Sequence, residues 1–285
     1  MSPDLTEPRR FPDLVEAFAQ TAHAIVDLAR ACSDEELGQP TECPGWTVHD
    51  QIAHVAGVEA WLGGHKDPRV EVPQYEHIRN DLGKKVEHAV EVRRGRSGAE
   101  VVAELDSVLT QRLQLLRDPA LTDTSIIAGP FGPDQAVTVM LYRVFDIWTH
   151  EQDIRSALRR PGNLDSPAAV VCVRSVMRQL PRKIAKFADL KPGDGVVVEV
   201  TQDGTPGRLV VARQGFQVEP GQDGRARGRA ISEPFPEGPT TTISLSTEAF
   251  TRRAAGRRPV SDTAYDVVGD AAVALRILEG LVVTH

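Results

Sequence analysis

Residues 144–160 read VFDIWTHEQDIRSALRR, the most informative segment of the chain. Its apolar residues cover most of the circumference of a helix, which predicts a central helix of a helical bundle. Asp146 and His150 interrupt that apolar surface four residues apart, so both side chains lie on one face of the helix. An unpaired carboxylate is costly to bury in such surroundings, which favours a binding partner for the pair.

A second predicted helix carries another histidine of the same chemical type. Residues 44–62 read PGWTVHDQIAHVAGVEAWL, in which Thr47 can cap a helix that extends to about Leu62 and places His54 at the border of its apolar stripe. Two imidazoles and one carboxylate are typical ligands of a catalytic divalent metal, and bundles assemble such sites from facing helices. We therefore predict a metal site formed by His54, Asp146 and His150.

A structural alternative explains the same residues without a metal. Asp146 and His150 could form a helical polar pair, which stabilises a helix by only about 0.2–0.5 kcal/mol. Glu151 is a candidate for supporting the predicted ligands, although a salt bridge with Arg155 would account for it equally well. The spacing alone leaves both interpretations open.

Hydrophobic periodicity divides the chain into a helical part and a mixed part. Helical spacing predicts helices over about 11–31, 47–62, 75–94, 99–117, 135–159 and 166–188. Strand-like runs follow at 196–200, 208–213 and 240–246, with short helices at 247–256 and 270–281 and a further strand between them. Proline, glycine and charged residues predict a surface loop over 219–239. We expect a four-helix bundle in residues 1–190 and a smaller α+β domain in residues 191–285.

Composition and motifs exclude several classes of function. A formal net charge of -7 argues against a protein that binds nucleic acid by neutralising phosphates. The sequence has neither a GxSxG nucleophile elbow nor a phosphate-binding loop, which argues against serine hydrolase and nucleotide chemistry.

The distribution of cysteines and apolar residues indicates a cytoplasmic protein. The three cysteines, Cys32, Cys43 and Cys172, are too widely spaced to suggest a disulfide framework or a thiolate zinc cluster. No apolar run reaches the roughly 18 residues of a membrane span, and the N-terminal segment lacks the apolar core of a signal peptide. We therefore expect neither a membrane nor a secretory location.

Two motifs resemble those of a known family. The pair PGWTVHDQIAHVAG, residues 44–57, and FDIWTHEQDIRSAL, residues 145–158, resembles the mycothiol-dependent maleylpyruvate isomerase family. The N-terminal domain of that family is a DinB-like four-helix bundle. ISLSTEAFTRRAAGRR, residues 243–258, and YDVVGDAAVALRILEGL, residues 265–281, resemble its appended α+β domain of sterol-carrier-protein type. The resemblance therefore covers nearly the whole chain.

The resemblance implies a metal, usually zinc, bound by His54, Asp146 and His150. The family often has glutamate at the acidic position, so Asp146 is a departure that could alter the reach or the preference for a metal. It also implies mycothiol, the low-molecular-weight thiol of actinobacteria, as cofactor or co-substrate. Three arginines of the C-terminal part are candidates for holding an acidic substrate: Arg252, Arg253 and Arg257.

The implied reaction is addition of a metal-activated thiolate to a small electrophile, which leads to either isomerisation or S-transfer. Two other functions remain open from the sequence. One is a non-enzymatic protein that binds a small molecule, and the other is a metal hydrolase that uses metal-bound water without a thiol.

Overall fold

The computed structural model describes residues 6–187, 189–190, 193–221, 226–232 and 240–284. The chain forms two compact units, one from Pro8 to Gly162 and one that begins at Asn163 and also includes Glu7. The domain boundary predicted near residue 190 lies inside the second unit. The reason is that the helices over 167–187 pack against strands and helices of the α+β part.

Six helices make up the first unit: α1 (Phe11–Arg30), α2 (Asp34–Leu37), α3 (Val48–Leu62), α4 (Asp81–Arg94), α5 (Gly98–Leu116) and α6 (Ala136–Leu158). The four long helices α1, α3, α5 and α6 form the predicted bundle, in which α1 packs on α5 and α6, and α3 packs on the same two helices. Helix α4 packs against α3. A short antiparallel pair, β1 (Ile126–Ile127) and β2 (Asp134–Gln135), precedes α6.

Local sequence signals fix the start of the helix that carries His54. The Thr47 side chain accepts a hydrogen bond from the backbone N–H of Asp50, and the Asp50 carboxylate accepts one from the backbone N–H of Thr47. This reciprocal capping box satisfies two otherwise unpaired donors. A cap of this kind typically contributes about 1 kcal/mol to stability. It therefore defines the start of α3 just ahead of His54.

The second unit is an α+β structure, as predicted. Its elements are α7 (Pro167–Met177), α8 (Leu180–Phe187), β3 (Gly195–Thr201), β4 (Val210–Pro220), β5 (Ala226–Ile231), β6 (Thr240–Ser246), α9 (Thr247–Ala254), a 3-10 turn (Val260–Asp262), β7 (Asp266–Val268) and α10 (Ala271–Glu279). The sheet has the order β5-β4-β3-β6-β7. Strands β3 and β6 are parallel, and the other neighbours are antiparallel.

Two sequence predictions for this unit differ from the structure. The helix predicted over 166–188 is broken into α7 and α8. The segment predicted as a surface loop over 219–239 contains the edge strand β5, whose sequence ARGRAI alternates small residues with arginines and therefore gives no apolar strand signal. Backbone hydrogen bonds to β4 define this strand. The rest of that predicted loop, residues 222–225 and 233–239, lies outside the described residues. None of the described helices is long and apolar enough to cross a membrane.

Candidate metal centre

The three predicted ligands converge between α3 and α6. His54 Nε2 lies 3.6 Å from Asp146 Oδ2, and His150 Nε2 lies 3.5 Å from Asp146 Oδ1. One ligand atom from each residue falls within 4.8 Å of the other two. Zinc binds nitrogen and oxygen ligands at about 2.0–2.2 Å, so ligand atoms around one ion lie about 3–4 Å apart. The three side chains are thus spaced as a single divalent cation requires, after small adjustments.

The hydrogen bonding of these side chains also fits a cation. Neither ring nitrogen of the buried His54 has a hydrogen-bond partner among the described residues, and the same is true of Asp146 Oδ2. Buried polar atoms are normally paired, and an unpaired one typically costs about 1–3 kcal/mol. A bound cation would satisfy a histidine nitrogen and the carboxylate oxygen together.

The protonation states favour ligation. Burial, with His150 nearby, lowers the pKa of His54 to about 4, so its imidazole is neutral at physiological pH. Burial opposes ionisation of Asp146, but the Arg143 guanidinium and His150 outweigh it and hold the pKa of Asp146 well below its ordinary range. Burial likewise opposes protonation of His150, yet Asp146 and Asp153 raise its pKa overall. A cation would compete with a proton for His150.

A buried ion network lies behind Asp146. Arg143 Nη1 is 3.0 Å from Asp146 Oδ2, although this ion pair does not have hydrogen-bond geometry. Arg143 Nε donates to Glu59 Oε1 at 2.7 Å, and Arg112 Nε donates to Glu59 Oε2 at 3.1 Å. Glu59 is fully buried. The network contains two arginines, Arg112 and Arg143, and two carboxylates, Glu59 and Asp146, so its formal charge is zero. A bound divalent cation would therefore give this region a net positive charge.

Asp153 and Gln51 contact the second nitrogen of His150. Gln51 Oε1 lies 2.6 Å from His150 Nδ1, and Asp153 Oδ2 lies 3.5 Å from the same atom. Glu151, which the sequence suggested as a supporting residue, pairs with Arg155 at 2.7 Å, as in its structural alternative. The contact of Gln51, which stands one helical turn before His54, was not predicted from the sequence.

The indole of Trp46 forms one wall of the centre. Its ring centroid lies 5.0 Å from that of His54 and 5.9 Å from that of His150. Trp46 Nε1 donates to Glu87 Oε2 at 2.8 Å, and the same carboxylate contacts His77 Nε2 at 2.8 Å and accepts from Arg94 Nη2 at 2.7 Å. Trp46 was also missed, although it belongs to the PGWTVH motif that carries the resemblance.

The C-terminal arginines belong to the second unit, where two of them are buried rather than solvated. Arg252 is 2% exposed and Arg253 is 9% exposed. Arg253 donates to the backbone oxygens of Leu278, Arg258 and Glu279 at 2.7–2.9 Å, which ties α9 to the end of α10. A role of these arginines in holding a substrate stays a prediction.

Comparison with known proteins agrees with this architecture. Residues 18–155 match the family model of the mycothiol maleylpyruvate isomerase N-terminal domain. Two crystal structures of the mycothiol-dependent maleylpyruvate isomerase are similar in fold. A histidine-to-alanine mutant is 15% identical with a TM-score of 0.52, and the other is 16% identical with a TM-score of 0.50. In both cases 92% of this chain and 94% of the other are covered.

The search of curated proteins gives no match. The matched domain lies within the helical unit and includes all three converging residues, His54, Asp146 and His150. Residues 18–155 therefore form a domain of the mycothiol maleylpyruvate isomerase N-terminal type.

Proposed function

We propose that the protein is a metal-dependent enzyme that uses mycothiol in an isomerase or S-transferase reaction on a small electrophile. One observation carries this proposal: His54, Asp146 and His150 converge inside a domain of this type, and neither ring nitrogen of the buried His54 has a hydrogen-bond partner among the described residues. The solved structures of similar fold are of a mycothiol-dependent maleylpyruvate isomerase, so maleylpyruvate is the first substrate to test.

Zinc is the cation that we propose for the centre. Two imidazoles and one carboxylate form a mixed nitrogen and oxygen donor set, which suits zinc and leaves a coordination position for a further ligand. When bound, such a cation lowers the pKa of a coordinated thiol and so supplies a thiolate at neutral pH. Asp146 is shorter than the glutamate common in the family, so we expect the ligand backbones to approach the cation more closely.

The residues of the chain would prepare the centre for this chemistry. The neutral His54 presents a lone pair without first losing a proton. Arg143 keeps Asp146 ionised. The Trp46 indole excludes water from the side of the two histidines, whereas the Asp146 side chain is 32% exposed and marks the side from which a thiol and an electrophile could enter.

The first experiment is metal analysis of the purified protein and of two variants. We expect about one zinc per chain in the native protein and a loss of zinc in His150→Ala. His23→Ala is the matched control, because His23 is exposed on α1. Equal zinc content in His150→Ala and His23→Ala would contradict the proposed ligand set.

The second experiment measures turnover of maleylpyruvate with and without mycothiol. We expect turnover only with the thiol, and its loss in His150→Ala but not in His23→Ala. Zinc-dependent hydrolysis without mycothiol would instead indicate a metal hydrolase. Binding of an apolar small molecule by a metal-free protein of full stability would indicate a non-enzymatic binding function.

A further inference from the structure

We propose that Gln51 is a positioning residue that fixes the tautomer of His150 and thereby leaves Nε2 as the nitrogen free to bind a cation. The inference rests on the metal centre proposed above and names a residue that would help to determine the affinity of that centre for zinc. It is carried by the direction of a hydrogen-bond chain that passes from the Trp46 carbonyl through Thr41 and Gln51 to the imidazole.

The Thr41 hydroxyl sets the direction of this chain. Its oxygen lies 2.8 Å from the Trp46 carbonyl oxygen and 3.5 Å from the Cys43 carbonyl oxygen. A carbonyl oxygen can only accept, so the single hydroxyl proton of Thr41 goes to a carbonyl. The Thr41 oxygen must then accept from its other neighbours, which are the backbone N–H of Cys43 at 3.2 Å and Gln51 Nε2 at 2.9 Å.

The orientation of the Gln51 amide follows from that of Thr41. Because the NH2 group of Gln51 must face Thr41, its Oε1 atom must face His150, where it lies 2.6 Å from Nδ1. This oxygen can only accept, so His150 Nδ1 carries a proton. Gln51 is fully buried, so bulk water does not compete for the contact.

Asp153 supports the same tautomer from within α6. Its Oδ2 atom lies 3.5 Å from His150 Nδ1, and a carboxylate also favours a protonated nitrogen. The opposite ring nitrogen, Nε2, faces Asp146 at 3.5 Å. The neutral ring therefore offers its lone pair on the side of the proposed cation.

This arrangement removes a competing form of the ligand. A neutral imidazole exists in two tautomers, and the one protonated at Nε2 cannot bind a cation through that atom. Partners that orient a ligating histidine typically change metal affinity by about 10–100-fold when they are mutated. We expect an effect at the lower end of this range for Gln51, because Asp153 remains in the variant.

The test compares four variants by zinc affinity, measured in competition with a chelator, and by the His150 tautomer, measured by nitrogen NMR of the imidazole. Gln51→Leu removes the acceptor, and Thr41→Val removes the group that orients the amide. Thr41→Ser keeps the hydroxyl. Gln152→Leu is the matched control, because Gln152 is a buried glutamine of α6 that donates to the Gly162 carbonyl at 3.2 Å.

We expect zinc affinity to fall about tenfold in Gln51→Leu and less in Thr41→Val, and to be close to native in Thr41→Ser and Gln152→Leu. The fraction of His150 protonated at Nδ1 should fall in the first two variants only. If Gln51→Leu does not fold, the comparison of Thr41→Val with Thr41→Ser decides.

Two outcomes would overturn the inference, and they are distinguishable. Native protein that binds no zinc would overturn the metal centre and this inference together. Native protein that binds zinc, with unchanged affinity and tautomer in Gln51→Leu and Thr41→Val, would overturn the role of Gln51 alone.

Discussion

Two buried polar clusters of the helical unit differ in how fully their side chains are hydrogen bonded. Arg93, on α4, makes five hydrogen bonds, to Asp67, Glu104 and the Ala89 carbonyl. His54, on the neighbouring α3, is equally buried, yet its ring nitrogens have no hydrogen-bond partner in the part of the chain that the structure describes. One cluster is complete and the other is incomplete.

This difference distinguishes a cluster that the fold itself satisfies from one that it does not. Every N–H donor of Arg93 is used within the protein, so the fold accounts for its burial. The burial of His54 costs free energy that the fold alone does not recover. We infer that something outside the polypeptide completes the cluster of His54, Asp146 and His150.

Removal of Arg93 should have the largest effect on stability. The change Arg93→Leu leaves the half-buried carboxylate of Asp67 without its ion-pair partner and Glu104 with Arg96 alone, so we expect a loss of about 3 kcal/mol in the free energy of unfolding. Denaturation with urea measures it. Arg30→Ala, which breaks the exposed pair with Asp106, is the control and should cost less than about 1 kcal/mol. A similar loss in both variants would show that the Arg93 cluster contributes no more to the free energy of unfolding than an exposed ion pair does.

Zinc should stabilise the protein through the cluster of His54, Asp146 and His150, and this gain should not depend on the cluster of Arg93. At a free zinc concentration about 100 times Kd, binding raises the free energy of unfolding by about 2.7 kcal/mol. We expect this gain in the native protein and in Arg93→Leu, as measured by thermal unfolding with and without zinc. His150→Ala should show no gain. A gain of the native size in His150→Ala would show that zinc binds elsewhere.

Replacement of the buried His54 should not destabilise the metal-free protein, although most mutations of buried residues do. In the metal-free protein, His54→Leu removes two unpaired buried nitrogens, so we expect an unchanged stability or a gain of about 1 kcal/mol. The same variant should lose its stabilisation by zinc. Denaturation with urea in the presence of a chelator, and then with zinc, measures both effects. A large loss of stability without metal would mean that His54 is a structural residue.

The residues of the candidate centre that lie close together in the sequence were predictable from their spacing, whereas those that meet only through packing were not. Asp146 and His150 were predictable because one helix carries both at a fixed spacing. His54 lies on another helix, so its distance from them depends on how α3 packs against α6, and the family resemblance supplied that link. Arg143 and Asp153 each lie three residues from Asp146 or His150 along α6, so their positions follow from the same helical spacing. Gln51 and Trp46 reach His150 from other parts of the chain, through contacts that no periodicity encodes.

The fold shows the same limit. The bundle helices and most strands follow from their apolar periods. Helix α7 is apolar over much of its surface, which indicates burial but does not say whether it packs in a bundle or against a sheet. Strand β5 is defined by its backbone pairing with β4, because its sequence ARGRAI alternates arginines with small residues and has no row of large apolar side chains. Long-range pairing therefore decided what local sequence left open.

The smallest expected effect concerns acid stability, and it tests the completed network around Trp46. Burial opposes ionisation of Glu87, but hydrogen bonds from His77, Trp46 and Arg94 outweigh it and hold the pKa of Glu87 below its ordinary value. A carboxyl with a lowered pKa contributes stability that is present above its unfolded pKa, about 4.3, and is lost as pH falls through the folded value.

We therefore expect Glu87→Gln to weaken the dependence of unfolding free energy on pH below about pH 4.3. Urea denaturation over a series of pH values measures the slope, with the exposed Glu35→Gln as control. The variant should also lower stability at neutral pH, because a neutral amide pairs less strongly with Arg94. If the acid slope of Glu87→Gln equals that of the control, the stability of this network does not depend on the charge of Glu87.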